Sequence, residues 1–177
     1  MARNTLARSM HDLGLAAWFG GTLANAVAAE ADNPGKTGAV ANVGWDRWTP
    51  VNAAAIGSHL VGAVGLLAGN AARVQGQRGV GSMVLAKTLL TAIALGATAY
   101  SRVLGKKVSA KTDVPADSGT EPAPTTPDDV AAAQRQLAML QWAVPAISGA
   151  LVVVSAFAGE QQRATEVHKG FLRRVLA

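Results

Sequence analysis

The sequence predicts an all-α polytopic membrane protein, with four transmembrane helices in an up-down bundle and a flexible loop between helices three and four. Three observations lead there. Half of the 177 residues are hydrophobic and only 15% are charged, against roughly 25% charged in an average soluble domain. Aromatic residues are 5%, so the apolar mass is Ala, Val, Leu and Gly. Four blocks of 17 residues or more carry one formal charge between them. A soluble bundle needs a charged outer face, and there is too little charge here to provide one.

The blocks follow in order. Leu13–Ala29 and Val51–Ala72 have no formal charge, Val80–Ser101 has Lys87 alone, and Leu137–Gly159 has none. Glu30, Arg73, Arg102 and Glu160 close them. About 20 apolar residues cover roughly 30 Å of hydrocarbon. With no water available, each block must bond its own backbone and is therefore a helix. The expected spans are residues 12–31, 50–73, 80–103 and 135–159 of a single domain. Arg3, Arg8 and Ala24-Asn25-Ala26 also resemble a secretory leader, but the uncleaved reading is adopted.

Local signals set the helix starts. Thr49-Pro50 reads as an N-cap followed by proline at the first helical position. Thr126-Pro127-Asp128-Asp129 adds two carboxylates at the positive end of the helix dipole. Helix four should therefore start near Pro127, run about 50 Å to Gly159, and project from the membrane by three turns. Pro145 cannot donate to the Gln141 carbonyl, and a kink is expected there.

Residues 105–126 hold prolines and acidic side chains with almost nothing apolar, and are read as a flexible linker. The short link from Arg73 to Gly79 makes helices two and three an antiparallel hairpin. Trp45 and Trp48 bracket Arg47 in an aromatic-belt pattern. Counting Lys and Arg on each side gives eight against seven, from which both termini are placed in the cytoplasm. The net charge of +5 is scattered between apolar blocks, a membrane pattern rather than a nucleic-acid footprint.

Little in the chain speaks of chemistry. Zero cysteines exclude disulfides, thiolate metal sites and cysteine nucleophiles. The Gly35-Lys36-Thr37 triplet lacks the earlier glycine of a phosphate loop, because Glu30 stands there. Lys87 and His59 are the intramembrane polar candidates. A lone intramembrane cation is a functional hypothesis by default, set against a lysine that snorkels to the interface. His11 at the mouth of helix one and His59 in the outer half of helix two should lie roughly 15–20 Å apart along the membrane normal. They are thus not expected to ligate one iron or metal, and no metal or cofactor is assigned.

Packing is the stronger signal. Gly65 and Gly69 form a GxxxG on helix two, with Gly62 and Ser58 before it, and Gly20 and Gly21 lie mid-way along helix one. Ala92 and Gly96 do the same on helix three. Small residues let helix backbones approach closely in lipid, so these serve helix packing or partner docking. The tail 160–177 spaces Val167, Phe171 and Val175 four residues apart among Lys169, Arg173 and Arg174. That pattern suits an amphipathic helix on an anionic leaflet, or a basic arm on a partner.

The run from His11 to Gly21, with its leading histidine and Trp18-Phe19-Gly20-Gly21, resembles the first helix of small four-helix DUF4149/TMEM205-like membrane proteins and, more distantly, the copper-resistance CopD domain. It covers about a dozen residues, and neither methionine clusters nor further paired histidines follow to carry copper across. The Ala/Gly/Arg-rich style resembles that of high-GC actinobacteria, whose small helical proteins accompany the respiratory supercomplex. These readings imply a non-enzymatic plasma-membrane protein, an accessory or assembly subunit of a larger membrane complex such as the respiratory chain. Its partners would be the bilayer and other integral membrane subunits, not nucleic acid. The alternative is a small transporter or metal-handling protein using His59 and Lys87.

Overall fold

The computed structural model describes residues 4–29, 43–111, 114, 120–163 and 167–168. Within them the chain is all-helical: α1 (Thr5–Ala29), α2 (Val43–Gly69), the short α3 (Ala71–Gly76), α4 (Val80–Ser109) and α5 (Asp128–Glu160). Three of these, α2, α4 and α5, are long and apolar enough to cross a membrane.

The start of α5 follows its local signal. Pro127 is the N-cap, and Asp128 and Asp129 occupy the first turn. The cap is thus one residue later than Thr126, and no side chain closes it. Two other helices run past their expected ends. The Thr49-Pro50 signal places the start of α2 at Pro50, but the helix begins at Val43 and carries Pro50 inside it. A cap contributes only about 1 kcal/mol. Against it stand two tertiary contacts of the extra turns: the Trp48 ring lies on the backbone of Gly21, and Asp46 pairs with Arg102 of α4. Likewise α4 continues through Gly105, expected to open the linker, to Ser109. There Leu104 and Val108 pack with Val130, Ala133 and Leu137 of α5 in a second apolar cluster. Lys107 and Lys111 pair with Asp129 beside it. The linker itself is partly packed: Val114 joins that cluster and Thr120 is buried. Residues 112–113 and 115–119 lie outside the described residues.

The helices pack in the order α2, α1, α5, α4, with α3 on α4. Residue pairs show each packed pair to be antiparallel. Gly69 of α2 meets Asn4 and Gly21 of α1 meets Trp48. Tyr100 of α4 bonds Gln136 of α5 while Lys111 reaches Asp129. The expected hairpin of helices two and three is therefore replaced: α2 pairs with α1, α4 pairs with α5, and α2 and α4 face each other across a seam. The connection between them turns through α3 and Gly79, whose φ of 86° is the left-handed conformation that glycine adopts at no steric cost.

The core sits mid-way along the bundle. Leu15, Trp18, Ala55, Ala94 and Leu151 are buried together, with Ile56, Leu90 and Leu95 packed against them. This cluster draws in residues of all four long helices and closes the seam at its middle. Elsewhere apolar side chains face outward: Leu13, Val64, Leu85, Val103, Met139 and Phe157 are all exposed, as suits a surface solvated by lipid tails. Only 11% of the apolar window of α4 is buried inside the protein, against 33% for α5.

Candidate functional site in the seam between α2 and α4

Above and below its closed middle the seam opens into two cavities, and Leu95 lines both.

The first, about 420 Å³, is lined by His11, His59 and Lys87 among apolar side chains of α2 and α4. Glycines set the register that builds it. A side chain at Gly62 would strike the backbone of His11 and come within 2.5 Å of the Ala7 carbonyl oxygen. One at Gly14 would come within 2.5 Å of the Ala55 carbonyl oxygen and the His59 nitrogen. With these two glycines α1 and α2 touch backbone to backbone. The two histidines consequently share one depth, with ring centroids 4.4 Å apart and Trp18 6.1 Å from His59.

That geometry corrects the expected separation of 15–20 Å. The expectation centred each apolar block in the membrane and so put the histidines near opposite faces. In the structure Asn4 opposes Gly69, which brings both rings about ten residues or fewer from the same end.

Both imidazoles are buried. His59 Nδ1–H donates to the His11 carbonyl at 3.2 Å, and Ser58 Oγ–H donates to the Met10 carbonyl at 3.0 Å. His11 Nδ1–H donates to Asp12 Oδ1 at 2.6 Å, and Nε2 is the ring's other polar atom. That Nε2 is buried with no partner among the described residues. Two imidazoles fall short of the donor set of a closed metal site, and no group of three or more His, Cys, Asp or Glu is placed to hold a metal among the described residues.

Lys87 lies half-buried on the facing helix and makes no ion pair or hydrogen bond among the described residues. Glu160, the one acidic helix end expected on its side of the membrane, is engaged by Arg163 at 2.8 Å. A polar clamp closes the same end of the bundle. Arg73 donates to Gln77, Asn70 and the Gln161 carbonyl, Gln77 donates to that carbonyl at 3.1 Å, and Arg8 bonds Gln162. The Gln161 carbonyl at the end of α5 thus gains two donors and positive charge where the helix dipole is negative.

The second cavity, about 270 Å³, lies at the tryptophan end. Trp48, Asn52 and Thr98 stand on its walls with Leu137 and Val144, and the Arg102–Asp46 pair is at its lip.

The remaining sequence candidates distribute as follows. Gly65 faces Ala7, Gly69 faces Asn4 and Gly21 seats Trp48, all between α1 and α2 rather than α2 and α4. A methyl group added at Gly20 or Gly96 would meet nothing within 4 Å, so neither glycine makes a close helix contact. Lys169, Phe171, Arg173 and Arg174 lie outside the described residues, and His168 is exposed. Sequence reasoning missed Gly14, and it missed Gly149, where an added side chain would come within 3.1 Å of the Phe19 ring. The alternation of Gly14 with Gly62 against a histidine on each helix was the available signal.

No protein-family model, curated protein or solved structure matches this chain.

Proposed function

We propose that this chain is a four-span, up-down plasma-membrane protein with both termini in the cytoplasm, and that it serves as a non-enzymatic accessory or assembly subunit of a larger membrane complex. Its α1 is the fourth span: residues 13–29 are uncharged and the helix lies along α2 from Asn4 to Gly21. The observation that carries the partner reading is Lys87. It makes no ion pair among the described residues: Asp12, the acidic group that acts on it through space, is itself bonded to His11. It lies in an open seam, on the least covered of the three candidate spans. An intramembrane charge is tolerated when it pairs, and an acidic side chain on a partner's helix supplies the pair. The compositional resemblance to actinobacterial proteins points to a respiratory-chain complex as that partner.

The test is purification of the tagged native protein in mild detergent, with wild type and Lys87→Met compared. Wild type should bring integral membrane proteins with it in fixed stoichiometry. Lys87→Met keeps the stem but strands the partner's carboxylate, at a cost of about 3–5 kcal/mol, and should lose them. Co-purification indifferent to the substitution would refute the Lys87 contact, and wild type purifying alone would refute the subunit reading.

A transport or metal-handling role has one specific observation in its favour: His11, His59 and Lys87 line a single cavity. In that case Lys87→Met and His59→Gln leave the associated proteins in place while uptake into reconstituted vesicles is lost.

A further inference from the structure

The cavity at the tryptophan end carries an independent assignment. In this chain a helical hydroxyl usually satisfies itself by donating one turn back. Thr22, Thr49, Thr88, Ser101 and Ser148 do so at 2.7–2.9 Å. Two hydroxyls on the walls of this cavity depart from that habit: Thr98 Oγ and Ser109 Oγ are buried with no hydrogen-bond partner among the described residues. Across the seam, Trp48 Nε1 and Asn52 Oδ1 are also buried and without a partner among the described residues, and Asn52 as a whole is nine-tenths buried. Four unsatisfied groups on three turns of two facing helices are costly in an apolar setting. They are donors and an acceptor together, which suits a head that bears a hydroxyl beside carbonyl or ether oxygens.

The charge balance narrows the class. Arg102 and Asp46, the charged side chains of this cavity, neutralise each other at its lip, so nothing inside calls for a charged head. A volume of about 270 Å³ lies just under the usual ~300–1,000 Å³ of small-molecule pockets. It holds a head and not a whole lipid, and the seam between α2 and α4 gives a tail its way out among lipid chains. The Trp45 and Trp48 rings set the depth at the membrane interface, where such heads reside.

We infer that Trp48, Asn52 and Thr98 form a binding site for an uncharged, hydroxyl-bearing head on a hydrocarbon tail, the chemistry shared by isoprenoid quinols and neutral glycerolipids, with Ser109 three turns further along the cavity. This cavity is separate from that of Lys87, and a chain with no protein partner would still bind here.

The test is native mass spectrometry of the detergent-purified full chain, titrated with decylubiquinol under reducing conditions and, separately, with 1,2-dioctanoylglycerol. Saturable one-to-one binding of either supports the site and identifies the source by which probe binds. Asn52→Leu should weaken that binding about tenfold, as should the near-isosteric Thr98→Val, since each removes a polar partner. Thr98→Val changes little volume, and its unaltered melting curve would show that the fold is intact. The site is overturned if neither probe saturates on wild type, or if binding is the same in both variants. Dodecyl phosphate displacing the bound probe at equal concentration would overturn the assignment of an uncharged head.

Discussion

At the scale of single residues, close approach decides more than polarity. Gly62 and Gly14 let α1 and α2 meet backbone to backbone, and a Cβ at either would collide with main-chain atoms that cannot swing aside. Gly62→Leu is therefore expected to destabilise the protein by about 1–3 kcal/mol or more, read as a lowered melting temperature in detergent. Gly20→Leu should leave it unchanged, because open space surrounds that position. Equal effects of the two would show that α1 is not held against α2 through this register. The sequence displayed all of these glycines alike, together with both histidines. What it left hidden was which glycine faces which helix, since a small residue leaves the same trace whether it meets a backbone or open lipid. The pairing of His11 with His59 is a consequence of that register, and it was illegible for the same reason.

At the scale of elements, the apolar blocks located every long helix, and the Pro127-Asp128-Asp129 run placed the start of α5 to within a residue. The lengths of α2 and α4 were not legible. Their added turns are held by contacts with distant residues, Trp48 on Gly21 and Val108 beside Val130, rather than by any local propensity. The second cluster is testable at this scale. Val108 and Val130 are almost fully buried in it, away from the central core. Val108→Asp or Val130→Asp should expose the adjoining ends of α4 and α5 to limited proteolysis near residues 104–111 and 128–133, while the chain still fractionates with membranes. Protection unchanged from wild type would mean that this cluster does not hold those ends.

At the scale of the whole molecule, the proposed topology makes a simple demand. Single cysteines placed at Ser9 and at Ser118, the latter outside the described residues, should react with an impermeant thiol reagent from opposite sides of sealed vesicles. Reaction of both from one side would remove a span from the scheme, and α1 would be the one to give up. The order α2, α1, α5, α4 also bears on how the chain is made. Each tightly packed pair consists of helices that follow one another in the sequence, α1 with α2 and α4 with α5, and the pairs meet through α1 and α5. All of the first pair's backbone-to-backbone contacts lie within residues 4–69, so it can close before α5 has emerged from the ribosome. The second pair needs nothing from the first to close. On the proposed topology, biogenesis would consist of two local hairpin insertions followed by one docking step. A chain divided between residues 70 and 79 should still assemble from two co-expressed halves, recovered together on a tag carried by either.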